Sequence, residues 1–149
     1  MKIALDTNVL AYAEGINDPV RHHSAIRLIE GLQPQDCLIP VQVLGELFNV
    51  IIRRRQHTRE YARQRIERWS NTFRKLDTTT DTLVIAIRLA AEHELAIWDA
   101  VVLATASIAG CRLLLSEDMQ DGFTWGGVTV ANPFADEPHP LLAAALAAR

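Results

Sequence analysis

Apolar positions along this chain fall into two patterns, short continuous runs and longer stretches of helical period, and the two alternate. Residues 2–5 form a run that is apolar after Lys2 and stops at Asp6, which predicts a buried strand. A short helix is expected over 9–13, closed by Gly15. A second helix, over 20–32, carries Ala25, Leu28, Ile29 and Leu32 at i, i+3, i+4, i+7 spacing. Residues 37–39 predict a strand, and Pro40 opens a helix running to 55 with a stripe of Val41, Leu44, Leu47, Phe48 and Ile51. The pattern Ala62, Ile66, Trp69, Phe73, Leu76 predicts a helix over 58–76. Asp77-Thr78-Thr79-Thr80-Asp81 supplies cap residues for the next helix, whose expected buried face is Leu83, Ile87 and Ala90. Residues 100–109 are apolar nearly all round and predict a buried helix. Strands are expected at 113–115 and 128–131, and from Leu141 onward an Ala/Leu tail is helical by propensity. Strands alternating with helices, with no long linker and no internal repeat, predict an α/β domain around a mainly parallel sheet. Such sheets place ligands at the carboxyl ends of their strands. Asp6 and Ser116-Glu117-Asp118 both follow predicted strands.

Composition narrows the class. The chain has 149 residues, 49% of them apolar, enough for one hydrophobic core. Two cysteines, Cys37 and Cys111, cannot make a disulfide framework or a Cys₄ zinc site, and reduced core thiols are expected. The longest uncharged apolar run, 141–148, falls far short of the roughly 20 residues of a membrane span. Nor do the first residues have the form of a signal peptide, so a cytoplasmic protein is expected. The net charge of −3 is unevenly placed: between residues 53 and 75 nine basic residues face two acidic ones. On charge alone that segment is a solvated helical surface, and its arginines flank the apolar stripe on both sides without forming one ridge.

The acidic residues carry the chemical question. Asp6 either caps the helix that follows or faces a ligand, and these roles are compatible because a carboxylate has lone pairs to share. Asp99, within Ile97-Trp98-Asp99-Ala100, is placed to be the N-cap of the buried helix. Glu46 points away from its helix's apolar stripe, toward Gln42, Asn49 and Arg53, and taken alone reads as a surface glutamate. Ser116-Glu117-Asp118 reads as a polar turn, and Asp121-Gly122 as another. If Asp6, Asp99 and Asp118 meet at the strand ends, they cannot all stay ionised without a counter-charge. A hard cation such as Mg²⁺ resolves the conflict and activates water for attack on a phosphodiester. Other chemistries lack their motifs: there is no Gly-x-Ser-x-Gly elbow, Walker loop or dinucleotide fingerprint. His22, His23, His57, His93 and His139 include no His-Glu-x-x-His pairing. A strand-end phosphatase of the haloacid dehalogenase type needs Asp-x-Asp, and Asn8 stands at its second position.

Four stretches in order carry a family resemblance: Leu5-Asp6-Thr7-Asn8-Val9-Leu10, Val43-Leu44-Gly45-Glu46-Leu47-Phe48-Asn49-Val50, Ile97-Trp98-Asp99-Ala100-Val101-Val102-Leu103-Ala104-Thr105-Ala106, and Leu114-Leu115-Ser116-Glu117-Asp118-Met119-Gln120-Asp121-Gly122. Together they resemble the PIN domain, and in particular the VapC-like toxin ribonucleases of toxin–antitoxin pairs. The resemblance covers Lys2 to about Asn132, so residues 1–135 are expected to be the PIN domain and 136–149 a C-terminal tail.

The resemblance implies a five-stranded parallel sheet flanked by helices and an acidic pocket using Mg²⁺ or Mn²⁺. Matched residue by residue, it makes Asp6, Glu46, Asp99 and Asp118 the catalytic and metal-holding acids, and so reassigns Glu46 from surface to site. Thr7, Asn8 and Ser116 become hydrogen-bonding supports. Glu117 and Asp121 are close enough to replace Asp118 or to hold a second metal through water. The activity implied is endoribonuclease cleavage by a toxin neutralised by a VapB-like antitoxin, in a homodimer. Other readings are an RNA-processing PIN nuclease and an idle PIN-fold binding module. Segment 53–75 would then hold RNA phosphates, or form the dimer and antitoxin face, with Trp69 and Phe73 as core residues.

Overall fold

The short apolar runs become the middle of one sheet because their side chains are covered on both faces. In the computed structural model, which describes residues 1–148, strands β1 (Ile3–Leu5), β2 (Cys37–Pro40) and β4 (Leu113–Leu115) are buried at every position. With β3 (Arg74–Leu76), β5 (Thr124–Trp125) and β6 (Val128–Ala131) they form a six-stranded sheet ordered β3-β2-β1-β4-β6-β5. All pairings are parallel except β5 with β6. The expected five parallel strands are therefore present, and a two-residue antiparallel strand is added at one edge.

Helices α1 (Thr7–Ala13), α2 (Pro19–Gly31), α3 (Val41–Ile52), α4 (Arg59–Thr72), α5 (Thr80–His93) and α6 (Ile97–Ile108) connect the strands. From β1 the chain builds outward through β2 and β3, then returns through α5 and α6 to place β4 on the other side of β1. The order thus reverses between β1 and β4, and this switch leaves a crevice at the strands' carboxyl ends. Asp6 and Ser116 are the first residues past those two strands. Their backbones stay tied to the sheet: Asp6 N–H donates to Leu115 O at 3.0 Å and Ser116 N–H to Ala131 O at 3.1 Å.

Three local expectations are corrected. The helix expected over 58–76 ends at Thr72, because Phe73 takes an extended conformation and Arg74–Leu76 pairs with Leu38, Ile39 and Pro40 of β2. On α5 the buried residues are Thr82, Ala86 and Leu89, while Ile87 is 53% exposed, so the core-facing stripe lies one position before the one the large side chains suggested. Small Thr82 and Ala86 let α5 lie close on α6. Helix α6 begins at Ile97 with Ala96 at its N-cap, which puts Asp99 inside the first turn and not at the cap. Residues 100–106 of α6 are buried as expected, but Ile108 emerges at 58% exposure.

The tail is part of the same packing unit. Helix α7 (Pro140–Ala147) sends Leu142 into the core at 1% exposure, with Leu141, Ala145 and Leu146 packed against it. Arg149, the last residue of the expected tail, lies outside the described residues. Cys37 and Cys111 are free and buried, and burial pushes their thiols up to about 12 and about 11, so neither is a nucleophile at neutral pH. Among the described residues no helix is long and apolar enough to cross a membrane.

The α5 face is tested by a pair of truncations. Leu89→Ala should cost about 2–5 kcal/mol and Ile87→Ala no more than about 0.5 kcal/mol in urea unfolding. Equal losses would mean that α5 packs on the Ile87 stripe.

Candidate active site

The site begins with the first turn of α1, where three consecutive residues each make a contact inside the fold and another toward the crevice. Asp6 is 4% exposed. It caps α1, its Oδ1 accepting the Thr7 N–H at 2.8 Å, while its Oδ2 accepts the buried Ser116 hydroxyl at 2.7 Å. Thr7 Oγ1 donates to Glu46 Oε2 at 2.8 Å, and Gln42 Nε2 holds the other oxygen, Oε1, at 2.7 Å. The glutamate that local pattern places on the surface is thus half-buried and held at both oxygens. Gln42 is a support that sequence reasoning did not single out, although its i, i+4 spacing to Glu46 on α3 was a usable signal.

Asn8 ties together the opposite side. Its Nδ2 lies 3.4 Å from Asp6 Oδ2, 3.3 Å from Ser116 Oγ and 3.2 Å from Asp118 Oδ2. The Glu117 N–H donates to Asn8 Oδ1 at 3.1 Å, which sets the amide's orientation. Ser116 Oγ also accepts the Asp118 N–H at 3.2 Å, so the loop after β4 is wound around the serine that braces Asp6. Asp118 itself is exposed toward the crevice.

The neighbouring acids are engaged elsewhere. Glu117 accepts the Tyr12 hydroxyl at 2.9 Å and Arg21 Nε at 2.8 Å. Burial first, and then the Glu117 carboxylate it donates to, keep the Tyr12 hydroxyl above its ordinary range. Arg21 in turn lies over the Phe134 ring, 5.3 Å from its centroid. Asp121 Oδ1 accepts the Asn132 N–H at 2.8 Å and so joins the loop after β4 to the chain leaving β6. The structure therefore brings Asp6, Glu46, Asp99 and Asp118 to one crevice and gives Glu117 and Asp121 protein partners. Tyr12 and Arg21 are further residues that the sequence reading passed over. No spacing rule links them to Glu117, which lies about a hundred residues on.

Electrostatics shows that the four acids feel one another. Asp6 is raised from 3.8 to about 6, chiefly by burial, with Asp99 and Glu46 adding repulsion and the Ser116 and Thr7 hydrogen bonds opposing it. Asp99 is also raised, by burial first and then by Asp118 and Glu46. No hydrogen bond to the Asp99 carboxylate is found among the described residues, and it sits where the amino end of α6 favours negative charge. Among the described residues no three His, Cys, Asp or Glu side chains stand close enough together to hold a metal ion between them. The four acids feel one another's charge without forming a closed set of ligands. A loose donor set of carboxylate oxygens fits a hard cation such as Mg²⁺ or Mn²⁺, which binds few carboxylates and keeps several waters, better than a cation needing a closed cage.

A cleft of about 440 Å³ opens beside these acids, two of which, Glu46 and Asp118, line it. Glu46 and Asp118 stand at its acidic end, Tyr12 and Val50 form walls, and Asn49 and Arg53 line it farther along α3. No histidine or cysteine lines it. Most of the basic segment lies outside this cleft, and two of its arginines are ion-paired: Arg63 binds Glu60 and Glu67, and Arg65 binds the buried Glu14 at 2.8 Å. Trp69 Nε1 donates to Glu14 at 2.6 Å and its ring stacks on Phe73, which is buried, so this pair helps dock α4.

Burying Asp6 has a sign that can be measured. Its folded-state value lies above its unfolded one, so its contribution to stability is present below about pH 4 and is lost as pH rises through about 6. At pH 7 without metal this amounts to a penalty of roughly 3 kcal/mol. Asp6→Asn, which can still accept the Thr7 N–H at its carbonyl oxygen and donate its amide to the Ser116 oxygen, should therefore unfold at higher urea than wild type at pH 7 in EDTA. The advantage should shrink toward pH 4, and Mg²⁺ should stabilise wild type more than the variant. A variant equal to wild type across that range would remove the electrostatic account.

Comparison with known proteins places this geometry in a family. The PIN domain model matches residues 3–120. A toxin–antitoxin complex from Klebsiella pneumoniae superposes with a TM-score of 0.69 at 22% identity, covering 89% of this chain and 98% of that one. VapC20 from Mycobacterium tuberculosis, a toxin that cleaves the sarcin–ricin loop, gives 0.67 at 25% identity, covering 78% and 92%. VapBC2 from Rickettsia felis, bound to a DNA fragment from its promoter, gives 0.62 at 15% identity, covering 87% and 97%. Among curated proteins no sequence matches significantly.

Proposed function

This chain belongs to the PIN-domain family, and from that premise we propose that it is a divalent-metal-dependent endoribonuclease, the toxin of a toxin–antitoxin pair. The observation that carries the proposal is the pair Asp6 and Asp99, two carboxylates raised by burial and by neighbouring acids at the sheet's switch point. A protein that places uncompensated negative charge there gains by binding a cation in the same crevice. The toxin role is supported by the likeness to toxin–antitoxin proteins, VapC20 among them. A VapB-like antitoxin and a second copy of the chain are the partners proposed with it.

Asp6 and Asp99 would hold the metal, with Glu46 and Asp118 completing the site or holding its waters. Bound there, Mg²⁺ or Mn²⁺ would supply positive charge that acidifies water and offsets charge on a phosphate. Ser116 and Thr7 keep Asp6 in one rotamer with both oxygens oriented. Thr7 and Gln42 hold Glu46 at the mouth of the cleft, and Asn8 keeps Asp118 beside Asp6. The chain needs no side-chain nucleophile: the two hydroxyls that line the cleft, those of Thr7 and Tyr12, are donated to Glu46 and Glu117.

Purified protein incubated with cellular RNA should make discrete cuts with Mg²⁺ or Mn²⁺, none with EDTA, and none when Asp6→Asn and Asp99→Asn are combined. Cuts that persist in the double variant would be a contaminant's, and a folded wild type that binds RNA without cutting it would be a binding module. Ser116→Ala loses the hydroxyl that orients Asp6 and should raise the metal concentration needed for half-maximal cleavage about 10- to 100-fold. An unchanged metal requirement would reduce Ser116 to packing.

A further inference from the structure

On α3, Glu46, Asn49 and Arg53 follow i, i+3, i+7 spacing, and all three line the same cleft. Arg53 therefore lies about 10 Å along the helix from the acidic end. It is exposed, its side chain has no partner among the described residues, and it is the one arginine of the basic segment that lines this cleft. Arg54 is occupied by Asn17, Arg63 by Glu60 and Glu67, and Arg65 by Glu14. Asn17 also lines the cleft and spends its carbonyl oxygen on Arg54, which leaves its amide N–H groups as free donors there. The cleft is thus polarised, with carboxylate oxygens at one end and only Arg53 offering a full positive charge at the other. A ligand that suits both ends carries one negative group for a metal among the acids and a second negative group farther on. A phosphodiester chain has that form. An arginine can clasp a phosphate with two parallel N–H donors, which a solvated lysine does not match.

We propose that Arg53 is a positioning residue that holds the backbone phosphate next to the scissile one, so that single-stranded RNA lies along α3 from Glu46 to Arg53. This rests on the nuclease reading for the identity of the scissile end, but it assigns the phosphate contact to one residue of a basic segment that charge alone could not resolve. A purely structural alternative exists, since Arg53 caps α3 and a cation there complements the helix dipole. The two roles differ in what they do to RNA binding.

The test is the salt dependence of binding to a short fluorescein-labelled single-stranded RNA of random sequence, read by anisotropy with Mg²⁺ in an Asp99→Asn background that keeps the RNA intact. Each phosphate contact contributes about 0.7 to the slope of log affinity against log salt on a single strand. Arg53→Ala should lower the slope by about that amount, and Arg59→Ala, an exposed arginine outside the cleft, should leave it unchanged. In the active protein Arg53→Ala should raise KM for RNA with kcat nearly kept, the signature of lost uniform binding. An unchanged slope for Arg53→Ala, or an equal fall for Arg59→Ala, overturns the assignment even if the protein cuts RNA. A fall confined to Arg53→Ala in a protein that cuts no RNA upholds the contact while removing the nuclease reading.

Discussion

Asp6 is a carboxylate taken almost completely out of water at the end of the sheet's central strand, and most of the polar architecture around it exists to make that tolerable. Burial alone favours the neutral acid. Ser116 and the Thr7 amide pull the other way by donating to the ionised form, yet Asp6 still rests near 6 because burial outweighs them, with repulsion from Asp99 and Glu46 adding to it. A fold that only needed a helix cap at this position could have used a solvent-facing serine or asparagine. Holding an ionisable group here costs the protein stability at neutral pH, and the cation proposed above would offset that cost.

This polar architecture is concentrated in one helical turn and one loop. Asp6 starts α1 and faces the crevice, Thr7 continues the helix and aims Glu46, and Asn8 joins Asp6 to Asp118. Because each of these residues has a structural contact as well as a functional one, the site is held by rigid elements and not by loops alone. The loop after β4 is rigidified separately: Tyr12 and Arg21 hold Glu117, and Asp121 holds the chain after β6. Asp118 projects from between these two anchors. The division of labour among three nearby acids follows from which of them already has partners.

Much of the candidate site could be read in the chain because its acids follow local events. Asp6 and the Ser116-Glu117-Asp118 cluster sit directly after apolar runs that could only be strands, and a parallel sheet brings such ends together. The α5 stripe and β3 were misread for a common reason. Periodicity rewards large apolar side chains, so Ile87 looked like core, whereas close approach of α5 to α6 selected Thr82 and Ala86. Phe73 and Leu76 fit a helical repeat, yet Arg74–Leu76 is a strand because β2, more than thirty residues earlier, offers it hydrogen bonds. Glu46 is instructive in a different way. Its helix face, shared with Gln42, Asn49 and Arg53, was legible, but only packing against α1 turned that face from open surface into one side of a cleft.

By itself, then, the sequence determined the alternation of strands and helices, the placement of acidic residues past strand ends, and the face of α3 that carries Glu46 and Arg53. These depend on side-chain period and local turn chemistry, which act over a few residues. The tertiary structure alone decided which acids share a crevice, which of the clustered acids after β4 faces it, and which arginine of a long basic segment lines the same cleft as Glu46. Those outcomes depend on contacts between residues far apart in the chain, such as Asn8 with Asp118, Tyr12 with Glu117 and Glu14 with Arg65. Burial and charge coupling arise only when such distant groups are brought together, so no local reading of the sequence contains them.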